Sequence, residues 1–162
     1  MIAITRRGWL AYGLAATIVV LDQTAKAWIF GYLRLIPGVS LDVWGPLRLT
    51  LVRNTGVSFG LFHGDAPWTR WALAGFSLAV AVVLAVWVRR STRSFSALAI
   101  GLIMGGALGN LVDRVRFGSV VDFIDVTRLY FPWVFNVGDS AITVGIVLLL
   151  AENLLAPRHP PA

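Results

Sequence analysis

Residues 105–142 read GGALGNLVDRVRFGSVVDFIDVTRLYFPWVFNVGDSAI, and the rest of the chain is organised around this stretch. It holds four of the eight acidic residues of the protein: Asp113, Asp122, Asp125 and Asp139. Long apolar segments lie on both sides of it. Because an ionisable side chain is costly to keep beside hydrocarbon, a polar cluster in this setting predicts a functional site.

The composition is that of an integral membrane protein. Hydrophobic residues make up 57% of the 162 residues and charged residues 14%, with a mean hydropathy of +0.77. Soluble domains contain roughly 45–50% apolar residues. We therefore predict a mostly α integral membrane protein that forms a single membrane domain over residues 1–162.

The charged and metal-binding residues narrow the possible partners. The formal net charge is +6, and all but one of the 14 basic residues are Arg, mostly at the ends of apolar segments. This placement favours contact with membrane lipid and not with nucleic acid. The absence of Cys excludes disulfides and thiol nucleophiles, and only two, widely separated His residues disfavour a His-built metal site. The sequence predicts no metal and no cofactor.

Four apolar segments are long enough to cross a membrane: about residues 9–30, 68–88, 95–112 and 137–155. A helix over residues 9–30 is about 33 Å long, which covers the hydrocarbon core. This first segment also resembles a cleavable signal peptide, but its apolar run continues beyond the small-residue motif at 25–27. Small residues recur mostly on one stripe of the third segment, which lets helix backbones approach closely: Gly101, Gly105, Gly106 and Gly109.

Four spans place both termini on the same side of the membrane. Basic clusters at 6–7 and 89–93, together with Arg158, flank the spans, and the positive-inside rule places them in the cytoplasm. Other arginines, such as Arg34 and Arg128, fall on the opposite side, so the tight clusters receive more weight. Segments 31–67 and 113–136 are then extracytoplasmic.

Residues 38–62 alternate apolar and polar side chains. The runs 39–43 and 47–51 flank Trp44-Gly45-Pro46, which supplies turn chemistry, so the pattern predicts a β-hairpin. With one apolar and one polar face, this small β-sheet is expected to lie on the extracytoplasmic surface of the membrane. A polar loop containing glycine follows at 53–60.

Two polar groups interrupt the apolar segments. Asp22 and Lys26 are four residues apart and can pair on one helix face, either as a structural ion pair or in support of a site. Asn110, Asp113 and Arg114 share a face if the third helix continues. These three either reach water at a helix end or position a neighbouring loop, and we expect the second, with Arg114 able to bind a carboxylate.

Asp122 stands alone in the apolar run Val120-Val121-Asp122-Phe123-Ile124. Desolvation in such surroundings raises the pKa of a carboxyl group, as a group that holds a proton near neutrality requires. Asp125 carries less information. It is expected at the surface, facing water or paired with Arg128.

Asp139 stands at the start of the fourth span, three residues after Asn136. Alone, this spacing predicts a reciprocal N-terminal cap of the helix, where a carboxylate is also favoured electrostatically. Together with Asp122, it suggests two carboxyl groups in different environments, the arrangement in which one acts as acid and the other as base.

Five ordered blocks resemble the lipoprotein signal peptidases (signal peptidase II), which are membrane aspartyl endopeptidases. They are residues 22–26 (DQTAK), 54–59 (NTGVSF), 105–114 (GGALGNLVDR), 118–123 (GSVVDF) and 135–139 (FNVGD). Each block is weak alone, but all five in order across nearly the whole chain form a specific match. Ser58 and Gly138 each replace an Ala of the family pattern, and Gly138 puts the rigidity of the helix start in doubt.

By this resemblance, Asp122 and Asp139 are the catalytic dyad. Asn54, Asn110, Arg114 and Asn136 position the substrate and the dyad, and the site is further supported by Gly56, Asp22, Lys26 and Asp113. The implied substrate is a diacylglyceryl-modified prolipoprotein, cut just before its lipidated Cys in the bacterial cytoplasmic (inner) membrane. One active site per chain makes a monomer sufficient.

Two other hypotheses use the same polar residues. A proton-coupled membrane carrier would employ the carboxylates as a relay, although no internal repeat of the kind common in carriers is evident. A non-catalytic scaffold would use the polar blocks as caps and ion pairs only. That hypothesis suits Asp139 and leaves Asp122 without a role.

Overall fold

The computed structural model describes residues 3–31, 39–56, 67–131 and 133–155. The helices in these ranges are α1 (Arg6–Gly31), α2 (Pro67–Val88), α3 (Ser94–Phe117) and α4 (Val137–Leu155). The strands are β1 (Ser40–Trp44), β2 (Leu47–Asn54), β3 (Val120–Asp125) and β4 (Val134–Phe135), and a 3₁₀ turn covers Thr127–Leu129. The described chain is therefore mostly helical with one small sheet, which confirms that part of the prediction.

Three helices of the described chain are long and apolar enough to cross a membrane: Trp68–Val88, Ser94–Phe117 and Val137–Leu155. Their outer faces expose apolar side chains such as Phe76, Val83 and Leu150, which suits contact with lipid. Helix α1 has 26 residues but is not among the three, because charged and amide side chains interrupt its apolar character. Three of the four predicted spans thus coincide with such helices. The span predicted at residues 9–30, which lies in α1, stays a prediction.

Helix α3 is central and packs against α1, α2 and α4. Gly101 and Gly105 face α1, where a Cβ on either would stand 2.8 Å from a backbone carbonyl oxygen. Gly106 lies on another side, against the backbone of Gly138 at the start of α4. The predicted glycine stripe therefore serves two close helix contacts.

The C-terminus of α3 lies at Phe117, beyond the predicted end at residue 112. Gly118 follows it with a φ of +77°, a conformation that suits glycine, and its N–H donates to the carbonyl oxygen of Arg114 at 3.1 Å. Arg70 of α2 donates to the carbonyl oxygens of Arg114 and Val115 at 2.7 and 2.5 Å. The helix therefore continues past the predicted end of the span, because these partners, and not water, satisfy the polar groups of its last turn. Asn110, Asp113 and Arg114 all lie on this continuous helix.

The strands form an antiparallel sheet in the order β1-β2-β3-β4. The predicted hairpin is confirmed as β1 and β2, with Gly45 at a φ of +53° in the turn. Strands β3 and β4 were not evident in the pattern of segment 113–136. They become strands by pairing with β2, which lies far away in the chain.

A buried cluster joins α1 to the sheet. Ile29 of α1 packs there against Leu51 of β2 and against Val121 and Phe123 of β3. Because side chains alternate along a strand, the two neighbours of Asp122 enter this cluster while Asp122 points to the opposite side. On that side it meets the start of α4.

Both ends of the described chain lie at one end of the helix bundle. The N–H of Thr5 donates to the carbonyl oxygen of Arg89 at 3.1 Å, which places the start of α1 beside the α2–α3 linker. Near the end of α4, Glu152 accepts a hydrogen bond from Ser96 at 2.5 Å. The sheet follows the other ends of the helices, so it lies at the opposite end of the bundle.

Candidate active site

Asn136, the residue before α4, brings Asp122 and Asp139 together. Its side chain is fully buried, at 0% exposure. Its Nδ2 donates to Asp122 Oδ1 at 2.7 Å, and its Oδ1 accepts the backbone N–H of Asp139 at 2.8 Å. The two acidic residues that stand out in the sequence therefore share one hydrogen-bonding partner.

Asp122 lies in the middle of β3 and is 2% exposed. Its second oxygen, Oδ2, accepts a hydrogen bond from Asn54 Nδ2 of β2 at 3.1 Å. Burial, and then the negative charge of Asp139, raise the pKa of Asp122 to about 7. Hydrogen bonds from Asn54 and Asn136 and the charge of Lys26 act in the opposite direction. The raised pKa matches the effect of desolvation expected from the apolar run around this residue.

Asp139 lies in the first turn of α4 and forms a reciprocal cap with Asn136. The backbone N–H of Asn136 donates to Asp139 Oδ2 at 3.3 Å, in exchange for the bond that Asn136 Oδ1 accepts. Asn110 of α3 donates to Asp139 Oδ1 at 2.8 Å. The predicted cap is thus present, and it leaves the same carboxyl group in contact with the residues around Asp122.

Asn110 and Arg114, one turn apart on α3, reach the site differently. Asn110 Oδ1 accepts a hydrogen bond from Asn136 Nδ2 at 3.2 Å, so this amide links the two helix ends. Arg114 Nη1 lies 3.5 Å from both Ser77 Oγ and the carbonyl oxygen of Asn110. Among the described residues, no carboxylate lies within ion-pair distance of Arg114, so the guanidinium does not form the carboxylate contact of which it is capable.

The ion pair predicted within α1 has a third member. Lys26 Nζ lies 2.6 Å from Asp22 Oδ2 and 2.7 Å from Asp113 Oδ2 of α3. All three side chains are almost completely buried. The spacing of four residues reveals the first pair, but nothing local in the sequence joins Lys26 to Asp113.

Asp125 is not the surface residue that the sequence suggested. It is 2% exposed and pairs with Arg48 of β2 at 2.8 Å, while Arg128 pairs instead with Asp42 at 3.1 Å. Burial alone would raise the pKa of Asp125, but hydrogen bonds from Thr50 and Thr127, together with the charge of Arg48, hold it at about 2. The error arises because these partners come from β2 and from the 3₁₀ turn.

A cleft of about 390 Å³ opens beside Asp139. Apolar side chains of α2, α3 and α4 form most of its wall, and its polar lining comprises Asn54, Gly56, Ser77, Asn110, Arg114 and Asp139. Asp122 lies behind this lining and is connected to it through Asn54. Ser77 was missed in the sequence, where its only signal is a hydroxyl within an apolar span.

Two carboxyl groups, those of Asp122 and Asp139, thus lie at one end of an apolar cleft. Each of them accepts hydrogen bonds from two donors. Among the described residues, no group of three His, Asp or Glu side chains is arranged to bind a metal ion. The chemistry that these side chains can supply is proton transfer between paired carboxyl groups and a bound water molecule.

A family model described as signal peptidase (SPase) II matches residues 14–155. The chain belongs to the signal peptidase II family. A lipoprotein signal peptidase of Caulobacter vibrioides is 58% identical over 159 residues, covering 98% of this chain and 94% of that protein. Another, of Methylorubrum extorquens, is 42% identical over 163 residues, covering 96% of this chain and 90% of its own length.

A solved structure supports the same conclusion. It is described as a bacterial membrane enzyme, is 28% identical, and covers 100% of this chain and 99% of its own, with a TM-score of 0.79. The family resemblance predicted from the sequence is confirmed. As a member of the signal peptidase II family, the protein is a membrane-embedded protease.

The blocks that carry the signal peptidase II resemblance converge in space. Three of them contribute Asn110, Asp122 and Asp139 to the polar groups around Asn136, and a fourth contributes Asp22 to the ion pairs of Lys26. In the block at 54–59, Asn54 accepts the N–H of Gly56 at 3.1 Å, and residues 57–59, Ser58 included, lie outside the described ranges. At the other departure from the pattern, a Cβ on Gly138 would stand 3.1 Å from the carbonyl oxygen of Gly106, so the glycine accommodates a close contact between α3 and α4.

Proposed function

We propose that this signal peptidase II cleaves diacylglyceryl-modified prolipoproteins just before the lipidated Cys, and that Asp122 and Asp139 are its catalytic dyad. The observation that carries the proposal is the position of Asn136, which contacts both acidic residues at the end of an apolar cleft. The curated relatives named lipoprotein signal peptidase support the reaction. A cleft with apolar walls and one polar end suits a substrate with two acyl chains and a short peptide to be cut.

Two carboxyl groups that share a single proton can hydrolyse a peptide bond without a metal. The ionised group takes a proton from water as the water attacks the scissile carbonyl, and the protonated group assists the oxyanion and then the leaving amine. A pKa of about 7 for Asp122 keeps one proton on the dyad near neutral pH. Because the two groups interact, this proton belongs to the pair and not to either residue alone.

The polar residues of the cleft position the reacting groups. Asn54 and Asn136 hold the two oxygens of Asp122, and Asn110 holds Asp139. Each carboxyl group therefore has little freedom to rotate, which keeps it oriented toward a bound water. We assign Arg114, with its guanidinium lining the cleft, to the substrate backbone.

We further propose that the chain is one domain in the bacterial inner membrane, with four spans formed by α1, α2, α3 and α4. Both termini would be cytoplasmic, with the sheet and the dyad at the extracytoplasmic face. The shared position of Thr5, the α2–α3 linker and Glu152 supports an even number of spans, and the arginines of the linker support the orientation. A monomer holds every residue assigned to the site.

This orientation can be tested directly because the protein has no Cys. A membrane-impermeant maleimide should label Ser40→Cys in the sheet from outside intact cells with a permeabilised outer membrane. Thr92→Cys in the α2–α3 linker should be labelled only after the inner membrane is opened. Labelling of both residues from outside would exclude the proposed topology.

The dyad is tested with a synthetic diacylated lipobox peptide. Asp122→Asn and Asp139→Asn should each lower kcat by about 10³-fold or more, because each removes a carboxyl group from the reaction. Asp125→Asn is the matched control: it alters a buried carboxyl group on the same strand but outside the cleft, and the folded variant should cleave at the rate of the unaltered protein. Normal cleavage by either dyad variant would exclude the assignment.

The carrier hypothesis has no support among the relatives.

A further inference from the structure

The buried ions around Lys26 hold the backbone on both sides of the site. Besides its bond to Lys26, Asp22 accepts the backbone N–H of Gly138 on Oδ1 at 3.0 Å. Asp113 accepts the backbone N–H of Val121 on Oδ2, also at 3.0 Å. Each of these two N–H groups belongs to the residue immediately before a member of the dyad.

The ion cluster of Lys26, Asp22 and Asp113 is further held together by the side-chain amide of Gln23 and by close packing. Gln23 Nε2 donates to Asp113 Oδ1 at 2.9 Å and to Asp22 Oδ2 at 3.2 Å, so the two carboxylates share two donors. Gly109 of α3 makes room for this arrangement, since a Cβ there would stand 2.6 Å from Asp22 Oδ2. Helices α1 and α3 therefore meet at a rigid, charged junction that also binds β3 and α4.

We propose that Lys26, held between Asp22 and Asp113, is a positioning residue that fixes the spacing of the dyad and sets the charge around it. This inference rests on the proposed roles of Asp122 and Asp139. A lysine that served only to neutralise two buried carboxylates would not need each of them to hold the N–H that precedes a dyad residue.

The charge of Lys26 also acts on the dyad at a distance. It lowers the pKa of Asp122, against the effects of burial and of Asp139. The charged groups that act on Asp122 come from three helices: Lys26 from α1, Arg114 from α3 and Asp139 from α4. Asp22 and Asp113 pair with Lys26, so they offset the charge that Lys26 presents to the dyad. In a buried setting such charges are poorly screened, so changing one of them should move the pH dependence of cleavage.

The sign of the effect depends on which charge is removed. Activity requires one proton on the dyad and is lost as that proton dissociates at high pH. Lys26→Met removes a cation, raises the pKa of Asp122, and should move the alkaline limb of the kcat profile to higher pH. Asp22→Asn and Asp113→Asn remove an anion but keep an oxygen for the backbone N–H, so they should move the same limb to lower pH.

The experiment measures kcat and KM of these three variants against pH, with the diacylated lipobox peptide as substrate. We expect opposite displacements of about half a pH unit. Lys26→Met should also lower kcat by about tenfold or more with little change in KM, because the dyad residues lose their fixed spacing. Lys26→Arg, which keeps the charge, should keep the limb of the unaltered protein.

A purely structural role predicts a different result. The variants would then lose active protein in equal proportion at every pH, and the limbs would superimpose. If the alkaline limbs of the kcat profiles superimpose and Asp122→Asn is inactive, this inference is overturned, while the assignment of the dyad stands. Full activity of Asp122→Asn overturns the proposed function as well. If Lys26→Met does not fold, the two Asn variants decide the matter, and failure of all three to fold assigns the cluster to stability alone.

Discussion

Replacement of Asn136 by Ala and by Ser separates the contacts that its side chain makes with Asp122 and Asp139, the proposed dyad. Through Oδ1 the side chain caps α4 at the N–H of Asp139, and through Nδ2 it donates to Asp122. A serine hydroxyl caps a helix about as well as an asparagine amide does, but it is too short to reach Asp122 as well. Asn136→Ala therefore loses the cap and all the bonds of Nδ2. Asn136→Ser keeps the cap and loses the bonds of Nδ2, of which the one to Asp122 is shorter than those to the oxygens of Asn110 and Val121.

The expected magnitudes follow from these contacts. An N-cap contributes about 1 kcal/mol to helix stability, and a hydrogen bond to a charged group about 1.5–3 kcal/mol. Since Asn136 is fully buried, water does not replace the lost donor. We expect the free energy of unfolding to fall by about 2.5–4 kcal/mol in Asn136→Ala and by about 1.5–3 kcal/mol in Asn136→Ser. In both variants kcat should fall about 100-fold, because Asp122 is no longer held in place.

Two measurements test this. Unfolding in detergent micelles gives the stability of each variant, and cleavage of a diacylated lipobox peptide gives kcat. The variants should differ in stability by about 1 kcal/mol, the contribution of the cap, and should be equally impaired in cleavage. Wild-type cleavage by Asn136→Ser beside an inactive Asn136→Ala would falsify this reasoning, because capping alone would then explain the residue.

Three further predictions concern single groups. As pH rises, kcat of the unaltered protein should fall with a midpoint near pH 7, the pKa of Asp122. A kcat that does not change around pH 7 contradicts a proton shared by the dyad. Asp125→Asn should lower the free energy of unfolding at neutral pH by about 2.5 kcal/mol, because the pKa of Asp125 lies at about 2 and not 3.8. Denaturation should show this difference vanishing as pH falls through that interval, and a difference that persists refutes it. Gly106→Ala should displace α4 and abolish cleavage, whereas Gly75→Ala, with open space around it, should be neutral in both unfolding and cleavage.

Local patterns in the sequence predict the local structure well. The apolar runs match the helices, and the alternation at 39–51 matches the hairpin. The spacing of Asn136 and Asp139 matches the cap, and that of Asp22 and Lys26 matches their ion pair. Each of these features depends on residues that are close together in the chain, so it can be predicted without knowledge of the fold.

Contacts between distant segments were not predictable in this way. Asp125 resembles a surface residue until β2 supplies Arg48 and Thr50 as partners. The link from Lys26 to Asp113 depends on the packing of α1 against α3, and the strand that carries Asp122 depends on its pairing with β2. The proposed dyad was chosen from the apolar surroundings of Asp122 and the family pattern, and the contacts of Asn136 with both Asp122 and Asp139 are seen only in the fold.

The glycine contacts of α3 divide the bundle into a stiff part and a compliant part. Helices α1 and α4 meet α3 backbone to backbone, through Gly101, Gly105 and Gly106, so neither can slide without a collision. In α2, the single glycine, Gly75, has no atom within 4 Å of an added Cβ, so this helix packs on α3 through side chains that can change rotamer. We therefore expect the α2 wall of the cleft to adjust to a bulky substrate, while the helices that hold both carboxyl groups keep their positions.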